Sequence, residues 1–440
     1  MAAFGQESPP DWFDGNSIDE IAFGDYLLAR HPMKCVHNLL FDIDGLVDEG
    51  QIKSEILSCV RPYIKTNIAK NIDKYLNAVK LAAYCPELPV REDRIHFRNG
   101  TYFLDEKRFT SEKEFCINRL PVEYHPDAAR PERWLKFLDE LLYPGDILTL
   151  QEFIGYCLIP TNKGQKMMLL IGNGGEGKSR IGRVLRAIFG DNMNTTSIEK
   201  LSSDKFARAD QEGKLLMLDD DMKLDALRDT NVLKAIITME DKMDLERKNK
   251  QSYQGYLFCR LMGFGNGSLS ALYDRSDGFY RRQIILQVRD KDADRVDDRD
   301  LGEKLRAEAE GVLLWALEGL HRLIDHGYEF TISSRAKENL DAARKEDNNI
   351  IDFLGSAGYV RFEQGTHATS RQLYTAYRRW CEDNVEKPFA EKTFTGYLKQ
   401  NETRLGLKYT QNIQTGAGKT ARGYTGIHVQ VHTDQQLRFS

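Results

Sequence analysis

No run of about 18 apolar residues occurs in the 440-residue sequence, and its start is neither basic nor apolar. Neither a membrane span nor a secretory signal is expected, and the chain reads as cytoplasmic. Cysteine is sparse and scattered. The seven (Cys35, Cys59, Cys85, Cys116, Cys157, Cys259 and Cys381) are odd in number and never closely paired, which excludes a disulfide framework and a structural zinc site. Free, mostly buried thiols are expected. Internal repeats and low-complexity tracts are absent as well. A dominant charge sign is also missing, since 62 Lys and Arg stand against 67 Asp and Glu, and a net charge of -5 argues against a surface coated with phosphate-binding groups. The balance is uneven, however. Residues 350–440 hold 12 basic and 8 acidic residues, so a small basic module follows an acidic body.

The length exceeds one ordinary core, and about 100 to 200 residues per domain predicts three units. In residues 52–83, Ile56, Val60, Ile64, Ile68, Ile72, Leu76 and Val79 recur at steps of three or four, which predicts helix. Short apolar runs flank Asn99-Gly100, a hairpin signal, and a second helical stretch spans 134–158 with a break at Pro144-Gly145. From 167 to 288 apolar runs alternate with helical patterns, as in an α/β sheet with crossover helices. An amphipathic helix over 301–324 and a charged linker or linking helix over 336–349 follow. The expected division is a mostly helical region at 1–150, an α/β domain at 151–335 and a further domain at 350–440.

The chemistry begins where the apolar strand Met167-Met168-Leu169-Leu170-Ile171 runs into Gly172-Asn173-Gly174-Gly175-Glu176-Gly177-Lys178-Ser179, followed by the helical pattern Ile181, Val184, Leu185, Ile188. Strand, glycine loop and helix are the context a P-loop requires. Glycines let backbone N–H groups and the helix start face phosphates, Lys178 neutralises the β- and γ-phosphates of ATP, and Ser179 ligates Mg²⁺. About 40 residues on, Leu215-Leu216-Met217-Leu218 leads into Asp219-Asp220-Asp221, the carboxylates such a site needs. Asp219 is assigned to magnesium and Asp220 to polarising the attacking water. A further apolar strand ends at Asn266, a candidate to hydrogen-bond that water. Beyond it, Arg281 and Arg282 precede Gln283-Ile284-Ile285-Leu286, where a guanidinium fork can reach a neighbouring subunit's nucleotide.

Taken together, GNGGEGKS, LLMLDDDM, ERKNKQSYQG, FGNG and DRSDGFYRR resemble the ATPase of the phage and plasmid primase-helicase family, within the superfamily 3 helicases. The resemblance covers residues from about 90 onward. It implies an α/β fold with an AAA+-like P-loop ATPase core at 151–335, a helical N-terminal domain serving as collar or DNA contact, and a C-terminal winged-helix domain. It also implies a homo-oligomeric, hexameric ring that translocates on DNA during replication of a phage, plasmid or integrative element in a bacterial host. The family's channel hairpin maps onto ERKNK, making Lys248 and Lys250 the DNA-contact candidates, since lysines track phosphates without reading bases. Arg282 best fits the arginine finger, with Arg281 as the alternative. In the C-terminal module, Leu373, Tyr377 and Trp380 form a helical stripe suited to a core, while Arg378, Arg379, Lys392 and Lys399 are either phosphate contacts or a solvated face.

Two imitations are set aside. Gly416-Ala417-Gly418-Lys419-Thr420 mimics the end of a P-loop, yet no apolar strand precedes it, so a basic wing is expected. Asp42-Ile43-Asp44-Gly45 mimics a phosphatase nucleophile motif but lacks the following Thr, and a turn is expected. The roughly 90 residues ahead of the shared segments are too few for a primase domain, so primer synthesis is not expected. The alternatives to a helicase are an ATP-dependent origin-binding initiator without processive unwinding, and a small-molecule kinase.

Overall fold

The computed structural model describes residues 9–222, 231–248, 251–267, 277–291, 298–346, 349–356, 358–415 and 419–430. These divide into two units, one reaching Leu340 and one starting at Asp341.

The first unit opens with α1 (Glu20–Arg30), a small antiparallel sheet of β1 (Lys34–Val36), β2 (Leu39–Asp42) and β3 (Gly45–Leu46), then α2 (Glu49–Val60) and α3 (Ile68–Ala82). Asp19 and Asp48 start α1 and α2 by accepting backbone N–H bonds, which satisfies donors that a helix start leaves orphaned. The helix expected over 52–83 is thus two helices. Pro62 lacks an N–H to continue α2, and Asn67 takes a left-handed φ of 53° before α3. Phe23, Leu27, Ile52, Ile56, Leu76 and Val79 close one core among these helices.

A second sheet, ordered β6-β5-β4-β7, contains β4 (Arg94–Phe97), β5 (Gly100–Phe103), β6 (Arg108–Thr110) and β7 (Arg119–Leu120). Then come α4 (Glu132–Leu141) and α5 (Pro144–Tyr156), separated at the expected Pro144, which occupies the first turn of α5 where its missing N–H costs nothing.

The central sheet is made from β8 (Met167–Gly172), β9 (Met193–Thr195), β10 (Leu216–Met222), β13 (Arg260–Asn266) and β14 (Gln283–Gln287). Its order is β14-β8-β13-β10-β9, and every pairing is parallel. Between these strands lie α6 (Lys178–Phe189), α7 (Ile198–Ser203), α8 (Lys205–Ala209), α9 (Asn231–Thr238), the hairpin β11 (Met243–Leu245) with β12 (Tyr253–Gly255), and α10 (Asp277–Tyr280). Residues 167–172 of β8 are all buried, as a parallel strand covered on both faces must be. Three further helices follow: α11 (Leu301–Arg306), α12 (Ala309–Asp325) and α13 (Ser334–Glu346), the last running past Leu340, where the first unit ends. The single helix expected over 301–324 is therefore broken between α11 and α12.

One hydrophobic core runs from Ile95 to Ala336 and includes residues on both sides of position 150. Within it α5 lies directly on α12. Gly155 permits this approach, because a Cβ there would sit 2.3 Å from the Ala316 carbonyl oxygen.

The second unit holds α14 (Asn349–Gly355), β15 (Val360–Thr369), α15 (Ser370–Asp383), α16 (Glu391–Gln400), α17 (Glu402–Leu405), β16 (Lys408–Thr415) and β17 (Lys419–Val429). The strands form an antiparallel sheet ordered β15-β17-β16. Thr369 and Gln372 close a capping box at the start of α15. Leu373, Tyr377 and Trp380 are buried with Phe353, Phe394 and Tyr424, so the stripe on α15 is core.

Candidate functional site

Ligands of open parallel sheets gather at the carboxyl ends of the strands. Here that edge brings together Gly172 at the end of β8, Asp219 and Asp220 on β10, and Asn266 at the end of β13, which is paired with Gly172. The Gly267 N–H donates to the Gly172 carbonyl at 2.9 Å and ties the two tips together.

Between β8 and α6 the chain reverses through Gly174, Gly175 and Gly177 at φ of 103°, 84° and 114°, values only glycine holds without strain. Gly177 is the N-cap of α6, so the first helical turn opens toward the loop, with the Arg180 N–H returning to the Gly177 carbonyl at 3.0 Å. The helix keeps that orientation because Ile181, Val184, Leu185 and Ile188 are buried on one face, each contributing roughly 1.5 to 3 kcal/mol. Gly175, Glu176, Gly177, Lys178, Ser179, Arg180, Asp220 and Asn266 line a cavity of about 310 Å³. A Cβ on Gly175 would meet nothing within 4 Å, so the loop leaves open space. A concave loop with helix-start N–H groups, a lysine, a serine hydroxyl and a carboxylate fits a phosphate chain with a divalent cation.

Lys178 and Glu176 are the two buried charges of the loop, with side chains 6% and 3% exposed, and they pair at 2.8 Å. Glu176 also accepts the Gly174 N–H at 2.7 Å. Burial raises the Glu176 carboxyl, but Lys178 and the loop N–H bonds outweigh it and hold the group below the usual carboxylate range. The loop is tethered outward as well, by the Asn173 amide donating to Asp290 at 2.7 Å beyond β14.

The three consecutive acids diverge. Asp219 is buried, and its Oδ2 accepts the Ile198 N–H at 2.7 Å at the start of α7, while burial raises its carboxyl against that bond and the Asp221 N–H. Asp220 is exposed and lines the cavity. Of the two arginines ahead of β14, Arg282 is half-buried and donates to the Gly278 carbonyl, whereas Arg281 is exposed.

Lys248 is exposed in the connection between β11 and β12, and Lys250 lies outside the described residues. The sequence gives no signal for what fixes this hairpin, which is Glu212, ahead of β10. Its Oε2 accepts from Arg247 and from the Tyr253 hydroxyl, each at 2.6 Å. Burial and Glu212 push the Tyr253 hydroxyl up to about 12. Two larger cavities, of about 850 and 490 Å³, meet at Glu212 and Gly213 beneath β2. They are lined by mixed charges without convergent groups of one chemistry, so the smaller cavity at the strand tips carries the stronger chemical case.

In the second unit Arg378, Arg379, Lys392 and Lys399 are all exposed. Arg378 and Arg379 pair with Glu382 and Asp383 along α15, and Lys399 lies 5.7 Å over the Tyr409 ring. Residues 416–418 of the P-loop mimic lie outside the described residues, and Lys419 and Thr420 begin β17. The other imitation is a turn: Asp42 Oδ1 accepts the N–H groups of Asp44 and Gly45.

Two family models match. Residues 25–142 match the family described as D5 N terminal like, and residues 170–282 match a family of unknown function, DUF5906. Among solved structures, the apo structure of the NrS-1 C terminal region (305-718) is similar at a TM-score of 0.56 and 14% identity, over 93% of this chain and 99% of that one. An A-form apo structure of the same region gives 0.53 and 13%, over 92% and 99%. At such identities the likeness concerns the fold. No curated protein matches the chain.

Proposed function

We propose that this protein is an ATP-driven DNA helicase of the superfamily 3 type, working as a hexameric ring in the bacterial cytoplasm to replicate a phage, plasmid or integrative element. The observation that carries the reading is the meeting of the glycine loop, Lys178, Ser179, Asp220 and Asn266 at one strand edge around one cavity. The parallel order β14-β8-β13-β10-β9, with the loop-bearing strand between the Asn266 strand and the edge strand, supports an AAA+-like core. The D5 N terminal like match and the fold shared with the NrS-1 region support the family resemblance.

In this mechanism the loop N–H groups and Lys178 bind and orient the phosphates of ATP. Ser179 and Asp219 would hold Mg²⁺, which neutralises phosphate charge. Asp220, facing the cavity, polarises the attacking water and Asn266 hydrogen-bonds it. An arginine from the adjacent subunit stabilises the transferring phosphoryl group. Its exposure favours Arg281 over Arg282 for that reach. Lys248 and Lys250 track the DNA backbone, and the second unit, read as a winged helix, adds Arg378, Arg379, Lys392 and Lys399 as phosphate contacts.

The test is the ATPase rate with and without single-stranded DNA, together with particle mass in a non-hydrolysable ATP analogue. DNA stimulation and a ring-sized mass are expected. A monomer indifferent to DNA refutes the reading.

A further inference from the structure

We infer that Glu176 is an internal competitor for the phosphate of the nucleotide: its carboxylate holds Lys178 and the Gly174 N–H, and ATP binds by displacing it. This rests on the ATP site proposed above and concerns how that site is set for affinity.

Three observations converge on it. The Glu176 carboxylate and the Lys178 ammonium are in contact at 2.8 Å, with only 3% and 6% of their side chains exposed, so the cation is turned away from solvent and toward a fixed anion. The second carboxylate oxygen takes the Gly174 N–H at 2.7 Å, a donor on the same loop that would face an anion. The space occupied is specific to this arrangement, because a Cβ on Gly172 would lie 2.6 Å from Glu176 Oε1. A two-oxygen anion thus already fills a cradle of N–H groups and a lysine, which is the donor set suited to a phosphate.

A phosphate brings more negative charge to the same donors, and like charges cannot share them at contact distance. The carboxylate must therefore leave. Gly175 and Gly177, on either side of Glu176, have the backbone freedom for that movement. Every binding event then includes the loss of one charge-assisted contact, so nucleotide affinity is lower than the loop alone would give. Occupancy is also coupled to where residue 176 points.

Equilibrium titration of the full chain with a fluorescent ATP analogue tests this, using wild type, Lys178→Met, and Glu176→Gln. Gln keeps the shape and can still accept the Gly174 N–H, but it lacks the charge that holds Lys178. Glu176→Gln is expected to bind at least about tenfold tighter than wild type, the factor that corresponds to losing one charge-assisted hydrogen bond at its weaker end. Lys178→Met is expected to bind more weakly. If neither wild type nor Lys178→Met binds differently from background, the ATP reading itself fails. If wild type binds and Lys178→Met weakens it, but Glu176→Gln is unchanged or weaker, Glu176 is a support of the loop and the competition is refuted. Should Glu176→Gln not fold, a crystal structure of wild type with a non-hydrolysable analogue decides. Separation of Glu176 from Lys178 beyond ion-pair distance is expected, and an intact contact overturns the inference.

Discussion

Glu152 on α5 is fully buried, yet its carboxylate is satisfied from two directions. Arg322 on α12 donates its Nε at 2.6 Å, and Thr331 donates its N–H at 2.7 Å and its hydroxyl at 2.8 Å. Replacing Arg322 with Met keeps most of the side-chain volume but leaves a buried carboxylate without its cation. Breaking a buried pair in this way costs about 3 to 5 kcal/mol. The Arg322 side chain is 29% exposed and the Thr331 donors remain, so the lower end, about 3 kcal/mol, is expected. For a unit of this size, with an unfolding entropy of about 2.1 cal/mol/K per residue, that is a fall of roughly 4 °C in Tm. Thermal unfolding followed by calorimetry measures it. The decisive comparison is the double variant Glu152→Gln with Arg322→Met, which removes the uncompensated charge and is expected to be more stable than Arg322→Met alone. An unchanged Tm in Arg322→Met, or a double variant less stable than the single, refutes the account.

Four other outcomes are expected. His31 bridges Glu55 at 2.9 Å and Asp42 at 3.1 Å; burial lowers its affinity for a proton, but the two carboxylates more than reverse this, and its folded pKa is raised. Its contribution is therefore full below the unfolded value of about 6.5 and fades as pH rises through the folded one, so a Tm-against-pH profile of His31→Asn should lose that decline; an unchanged slope argues against the clamp. Asp220→Asn should cut ATP hydrolysis about 100-fold or more while analogue binding stays near wild type, as filter binding beside a phosphate-release assay will show. Glu212→Ala frees Arg247 and Tyr253, so DNA-stimulated hydrolysis should fall with the basal rate kept; equal loss of both points to general unfolding. Finally, Arg281→Ala mixed with wild type should poison the ATPase of a ring more strongly than Arg282→Ala does, and the reverse order would return the finger to Arg282.

The sequence exposes those parts of the site that are local. Gly172 to Ser179 is legible because strand, turn and helix start are contiguous and each has its own residue preference. Pro144 likewise marks the start of α5, and the stripe Leu373, Tyr377, Trp380 marks a core face by its spacing alone. What joins distant segments leaves no such trace. Arg322 meets Glu152 across 170 residues, and Glu212 holds the hairpin from 35 and 41 residues away. The order of the central sheet is equally hidden, since β8 lies between β13 and β14, which come last among its strands. Periodicity also misleads at breaks. Ile64 and Ile68 continue the spacing from α2 into α3, although Pro62 removes a donor from the hydrogen-bond ladder and the left-handed Asn67 separates the two helices.

Asp219, Asp220 and Asp221 carry this contrast into the chemistry. As sequence they are three equivalent carboxylates after an apolar run, and the assignment of one to magnesium and one to water rests on their order. In the fold, β10 advances three residues from Asp219 to Met222 while its partner β13 advances two, from Gly263 to Gly265. Such a bulge removes one residue from the ladder and re-aims its neighbours. Asp219, still in register, turns under the start of α7 and binds the Ile198 N–H, whereas Asp220, past it, is presented to the cavity. One extra residue of backbone thus separates a buried carboxylate that fixes a helix from an exposed one that lines the cavity, and the difference follows from register rather than from side-chain identity.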